Sequence, residues 1–118
     1  MYLMHLPERK EILCICRGGL ITCSLENYEL GEPCEKFHVC TVFDGVLLPN
    51  KRIIIAHTTE PLEEVTFEDD STIEVEELET LEKCISITHL RGNICAVGDD
   101  DSKNVCLIDF SSKNGKIL

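Results

Sequence analysis

The chain has 118 residues, of which 43% are apolar and 28% charged, and its 22 acidic and 11 basic side chains give a net charge of −11 at pH 7. This apolar content is sufficient for a packed core, which excludes a wholly disordered chain. No stretch approaches the roughly 20 apolar residues of a membrane-spanning helix, and residues 1–10 lack the apolar run of a secretory signal. We therefore expect an intracellular protein, cytoplasmic or nuclear, with no membrane partner.

A repeat of about 42 residues organises the chain. Leu6, Leu48 and Leu90 are spaced 42 residues apart, and each precedes a short polar loop and then a β-branched run typical of a strand. These runs cover residues 12–16, 53–56 and 94–97.

A second strand is predicted in each unit. The triplets 23–25, 65–67 and 108–110 each read apolar, small or polar, apolar, and they lie 42 and then 43 residues apart. Alternation with period two is the pattern of a half-buried strand. Turn-forming residues separate the two runs in every unit, which predicts three hairpins. The chain is thus expected to be a single all-β unit, 1–118, with repeats at approximately 1–36, 37–79 and 80–118.

Each unit has room for two further strands. We predict them at 34–37 and 38–43 after the first hairpin, and at 72–79 and 83–90 after the second. A helix over 74–82 is the alternative, because Glu and Leu are good helix formers. The β-branched Ile73 and Val75 and the density of like charge favour a strand there.

The acidic residues are concentrated between 60 and 82, where eleven acids occur without a basic residue, while the rest of the chain carries eleven of each. Such a segment is either a solvated face or a surface that attracts a basic protein. The candidate partner-binding residues are Glu68, Asp69, Asp70, Glu74, Glu76 and Glu77. The basic pairs Arg9-Lys10 and Lys51-Arg52 are too small to predict direct nucleic-acid binding.

Eight cysteines are present, most of them within apolar, β-branched runs, where a free thiol behaves as a small hydrophobe. The one close pair, Cys14 and Cys16, is C-x-C rather than the C-x-x-C typical of zinc sites, and no histidine lies at ligand spacing. We predict buried thiols, without a metal, another cofactor or a disulfide framework.

Catalytic motifs are lacking. Residues 99–101 and Asn104 suggest a cation loop, but Lys103 occupies a ligand place and no glutamate follows, so a polar hairpin turn is the prediction. No G-x-S-x-G and no glycine loop before a helix occur. We expect no enzymatic activity.

Residues 94–110 run apolar strand, Gly98, acidic turn, apolar strand, and then Ile108-Asp109 at the place of a Trp-Asp dipeptide. This order resembles the inner hairpin of a WD-repeat blade, and residues 111–118 look like the turn and the strand that follows. The resemblance implies about three four-stranded antiparallel blades of a partial β-propeller.

Three blades cannot close a ring, because closed propellers need about four to eight. Open ends would expose apolar surface, so completion by a second copy, by a partner protein or by more of the same gene product is expected. The function implied is a non-catalytic protein-interaction scaffold. The alternative is a compact β-sandwich or barrel, complete in itself, whose acidic segment 60–82 binds a basic protein.

Overall fold

The computed structural model describes residues 2–16, 19–34, 42–57, 61–68, 72–79, 81, 84–99 and 103–118. These residues form strands joined by turns, with one short 3₁₀ turn at Pro7–Arg9. The strands are β1 Tyr2–Leu6, β2 Glu11–Cys16, β3 Gly19–Ser24, β4 Val42–Leu47, β5 Ile53–His57, β6 Glu63–Phe67, β7 Ile73–Glu77, β8 Ser86–Arg91, β9 Ile94–Asp99, β10 Asn104–Asp109 and β11 Lys116–Ile117. The predicted all-β class is confirmed.

Three antiparallel sheets follow one another along the chain. The first sheet is β1-β2-β3, the second is β4-β5-β6-β7 and the third is β8-β9-β10-β11. Strands adjacent in sequence pair within each sheet, so each sheet is an antiparallel meander. None of the three sheets is closed into a barrel.

Within the described residues, the first sheet contains three of the four predicted strands. There the segment after β3 makes two isolated bridges, Cys23 to Leu30 and Leu20 to Cys34, instead of a continuous strand. Pro33 lies between them and has no backbone N–H to donate to a ladder. Most of the predicted strands 34–37 and 38–43 lies outside the described residues.

The acidic segment forms a strand, as predicted, and not a helix. Ile73–Glu77 is β7, which pairs antiparallel with β6 so that Val75 lies opposite Val65 and Ile73 opposite Phe67. These branched and aromatic side chains pack across the two strands, and this packing outweighs the helix propensity of the glutamates.

Two apolar cores lie between the sheets. The core between the first and second sheets contains Met4, Leu13, Ile15, Leu20, Ile53, Ile55, Val65 and Ile73. The core between the second and third sheets contains Val46, Leu48, Ile54, Ala56, Ile87, Cys95, Val97, Ile108 and Phe110. Alternate residues of β5 enter opposite cores, which explains why its sequence is apolar at every position from Ile53 to Ala56.

The first strands of the three sheets lie close together, and the sheets diverge from these strands; we call this arrangement a fan. β4 lies against β1 on one side and against β8 on the other. Tyr2 Oη donates a hydrogen bond to the Gly45 carbonyl oxygen at 2.8 Å, and a Cβ at Gly45 would lie 3.1 Å from the Met4 methyl carbon.

The buried thiols support the cores. Cys34, Cys84 and Cys95 are buried and Cys14, Cys16, Cys23 and Cys106 are half-buried, all of them free. Burial raises the pKa of Cys84 to about 11, with Asp99 and Cys106 adding to the rise, and burial alone raises the pKa of Cys95 to about 11. Such thiols are protonated near neutral pH and pack as small apolar groups.

Candidate protein-interaction surfaces

Each sheet has two faces, which differ in what they contact. We call the face turned to the next sheet in the chain the following face, and the face turned to the previous sheet the preceding face. The following faces of the first and second sheets pack on the preceding faces of the second and third sheets. Among the described residues, no sheet lies against the preceding face of the first sheet or the following face of the third sheet; we call these the two open faces.

The open face of the first sheet is apolar. Leu3 lies opposite Cys14, which lies opposite Ile21, and His5, Ile12 and Cys23 form the neighbouring row. Leu3 is 58% exposed. Neither row contains a carboxylate, lysine or arginine. Three half-buried thiols, those of Cys14, Cys16 and Cys23, lie on this face, and burial together with the two neighbouring thiols raises the pKa of Cys14.

The open face of the third sheet carries exposed apolar side chains on β10, with Thr88, Asp109 and Lys116 on the same face. Val105 and Leu107 of β10 lie opposite Gly98 and Ala96 of β9. Val105 is 72% exposed and Leu107 is 41% exposed. Large exposed apolar patches on a folded domain mark interaction sites.

The exposure of the three repeat leucines depends on whether another sheet packs on the following face. Leu6 ends β1 and Leu48 directly follows β4, whereas Leu90 lies near the end of β8. Leu6 is 3% exposed and Leu48 1%, because the next sheet covers both, but Leu90 is 51% exposed. The difference arises because the following face of the third sheet has no neighbour.

An arginine–phenylalanine contact recurs at both interfaces. The Arg9 guanidinium carbon lies 3.8 Å from the centroid of the Phe67 ring, and that of Arg52 lies 5.9 Å from the centroid of Phe110. In each case the arginine lies in the turn between the first two strands of one sheet. The phenylalanine lies at the end of the third strand of the next sheet. Sequence reasoning missed this contact, although both residue types recur at a spacing of 43.

Arg52 has the larger network. Its Nε and Nη2 donate to the two carboxylate oxygens of Glu64 at 2.8 and 3.0 Å. Its Nη1 donates to the carbonyl oxygens of Phe110 and Ser112 at 2.7 and 2.6 Å, and Nη2 also donates to that of Lys113. The side chain thus ties the second sheet to the turn after β10.

The predicted acidic residues do not form one surface. Glu74 and Glu76 lie on the same face of β7 as Glu64 on β6, whereas Glu77 lies on the opposite face. Glu68 is exposed in the turn after β6, and Asp69 and Asp70 lie outside the described residues.

Glu64 and Glu76 of the acidic segment contact basic side chains. Glu64 is buried against Arg52, with side-chain exposures of 11% and 15%, and Glu76 contacts Lys113 at 3.3 Å on the surface. Part of the negative charge of this segment is thus neutralised by ion pairs within the fold.

A cavity of about 590 Å³ opens at one end of the first interface, lined by residues that include Leu6, Arg9, Arg52 and Phe67. Its cations are matched by carboxylates: Arg9 contacts Glu11 at 2.7 Å and Lys51 contacts Glu8 at 2.8 Å. The cavity therefore offers no concentrated charge to a ligand.

Potential metal ligands do not cluster in the part of the chain that the structure describes. Within the described residues, no three histidine, cysteine, aspartate or glutamate side chains converge as a metal site. Asp109 has a lowered pKa because the Ser111 hydroxyl and backbone N–H hydrogen-bond to its carboxylate. This is a turn-forming interaction.

Comparisons with known proteins add no relative to this description. No protein-family model matches the chain, and neither a curated protein nor a solved structure matches it. In the part of the chain that the structure describes, no helix has the length and apolar character needed to cross a membrane.

Proposed function

We propose that this chain is a non-catalytic protein-interaction scaffold of WD-repeat, β-propeller type, which completes its fold against another chain or a second copy of itself. The observation that carries the proposal is the pair of open faces. Both carry exposed apolar side chains, and both occupy positions that the interior sheets bury.

The energetic argument starts from the interfaces inside the chain. Each buries the apolar face of one sheet against that of the next, which stabilises the fold by about 25 cal/mol for each Å² removed from water. The open faces carry the same kind of side chains without this gain. Covering them is therefore favourable, and other sheets of the same type are the natural cover.

The WD-repeat assignment draws support from three features taken together. The units have the period of about 42 residues, each sheet is an antiparallel meander, and the sheets diverge from their first strands. In a propeller, blades are arranged in this way around a central axis, and closure leaves no apolar face uncovered. The exposed loops and the outer rim of such a ring are surfaces for binding other proteins.

The test is the mass of the purified chain in solution, measured by light scattering. The wild-type protein is expected to have a mass above the 13.3 kDa of one chain, or to require a partner for solubility. Leu107→Lys places a charge on the open face of the third sheet and should produce a soluble single chain. Glu79→Lys, an exposed position outside both faces, is the matched control and should behave as wild type. A wild-type monomer that unfolds cooperatively and binds no hydrophobic dye contradicts the proposal.

A further inference from the structure

We infer that a second copy of this chain supplies the missing sheets, joined head to tail, with the open face of the third sheet of each copy packed on the open face of the first sheet of the other. This inference rests on the proposed function and specifies its partner. The result is a ring of six sheets with twofold symmetry and two identical interfaces.

The polarity of the internal interfaces is the first argument. Within the chain, a following face packs on a preceding face at both junctions. The two open faces are one of each kind. Pairing them between two copies repeats a junction that the chain already builds twice, whereas pairing two like faces requires an interface that the chain nowhere makes. Head-to-tail contacts generate rings when the rotation closes.

Repeat-equivalent positions make the match specific. Cys23 on the open face of the first sheet is the counterpart of Val65 and Ile108, which are 2% and 0% exposed at the internal junctions. Leu90 on the third sheet is the counterpart of the buried Leu6 and Leu48. A second copy would bury Leu90 and Cys23 in the same manner.

The two open faces give the smallest number of copies. Each copy has one open face of each kind, so two copies joined head to tail cover all four, and the second interface then forms inside the same dimer without a further loss of translational freedom.

Charge at the rim is complementary as well. Arg9 and Arg52 reach from the first turn of one sheet to the end of the third strand of the next. Arg91, which is exposed, is the last residue of β8, directly before the first turn of the third sheet. The position equivalent to Phe67 and Phe110 in the first sheet is Leu25, and it is followed by the exposed Glu26, which forms an ion pair with Lys10 of its own chain at 3.1 Å. We expect head-to-tail docking to bring Arg91 of one copy near Glu26 of the other.

The experiment is a mixing test with two matched variants, Leu3→Lys on the open face of the first sheet and Leu107→Lys on that of the third. Both leucines are exposed, so both variants should fold, which circular dichroism checks. Wild type is expected at twice the 13.3 kDa chain mass. Either variant alone lacks both interfaces and should be monomeric, but a mixture retains one intact interface and should give a dimer whose population rises with concentration.

Other outcomes separate the inference from the proposed function. A dimer of either variant alone overturns head-to-tail pairing, and so does a mixture that stays monomeric at every concentration. A wild-type monomer that still binds a hydrophobic dye shows that a second copy is not the partner. The dye binding would still support exposed apolar faces, on which the proposed function rests. A wild-type monomer that binds no dye overturns both.

A charge reversal at the rim provides an independent check. Arg91→Glu should weaken the dimer, and adding Glu26→Arg in the same chain should restore it, because the reversed charges meet across the interface. Failure of the double variant to recover dimerisation contradicts the predicted contact between Arg91 and Glu26.

Discussion

Arg52 contacts Phe110 in two ways. Its guanidinium lies over the Phe110 ring, and its Nη1 donates a hydrogen bond to the Phe110 carbonyl oxygen at 2.7 Å. The same arginine neutralises Glu64, which is buried. One side chain therefore fixes the position of the third sheet relative to the second. It also compensates a carboxylate that the packing of the sheets removes from water.

Replacing Arg52 should destabilise the fold strongly. Arg52→Ala leaves the buried Glu64 carboxylate without its partner, a loss of about 3 kcal/mol in the free energy of unfolding. Lys51→Ala removes an exposed ion pair with Glu8 and should cost less than about 1 kcal/mol. Urea unfolding at one fixed protein concentration measures both. Equal effects of the two substitutions would contradict the role assigned to Arg52.

The repeat leucines allow a matched comparison. Leu48→Ala creates a cavity in the second core and should lower the free energy of unfolding by about 2–5 kcal/mol. Leu90→Ala should change the unfolding of the single chain, measured in the Leu107→Lys background, by less than about 1 kcal/mol, because Leu90 is half exposed there. In the wild-type background Leu90→Ala should weaken association. Comparable losses from both substitutions in the single chain would show that Leu90 is already covered.

The raised pKa values of two buried thiols, Cys84 and Cys95, predict that the free energy of unfolding falls in alkali. The folded protein holds the protons of Cys84 and Cys95 up to a pKa of about 11, compared with an ordinary value of 9.0. The stability that these protonated thiols contribute is complete below pH 9 and is lost as the pH rises toward 11. Thermal unfolding as a function of pH should therefore show a smaller alkaline decline for Cys95→Ala than for wild type. Parallel curves for the two proteins would contradict this origin of the decline.

Removing charge from the acidic segment should leave association intact. The combined variant Glu68→Gln, Glu74→Gln, Glu76→Gln and Glu77→Gln changes none of the residues of the two open faces, so its mass by light scattering should equal that of wild type. Among the interactions lost, the ion pair between Glu76 and Lys113 is exposed and should contribute less than about 1 kcal/mol. A dimer that dissociates in this variant, or in wild type at high salt, would favour recognition through the acidic segment.

Much of the fold follows from period-two alternation and the internal repeat. The apolar run of β5 and the alternation of β7 both predict strands that the structure contains, because these patterns depend on side chains a few residues apart. The acidic segment illustrates what such patterns miss. Antiparallel pairing places Glu64 opposite Glu76 and Glu63 opposite Glu77, which splits the charge between two faces, and the burial of Glu64 depends on an arginine twelve residues away.

The arginine–phenylalanine contacts could not be predicted from the sequence for a related reason. Arg9 follows Leu6 by three residues, whereas Arg52 follows Leu48 by four, so the two arginines are out of step with the 42-residue leucine spacing. Pairing each with a phenylalanine on the next sheet requires the order in which the sheets pack. That order is a property of the whole fan.

The most direct measurement is the alkylation rate of Cys16 and Cys23, which lie on the open face of the first sheet, in wild type and in Leu107→Lys, which alters only the third sheet. If the third sheet of one copy covers the first sheet of another, both thiols should react slowly in concentrated wild-type protein, faster on dilution, and fast at every concentration in Leu107→Lys. Equal rates in the two proteins at all concentrations would contradict the pairing of the two open faces.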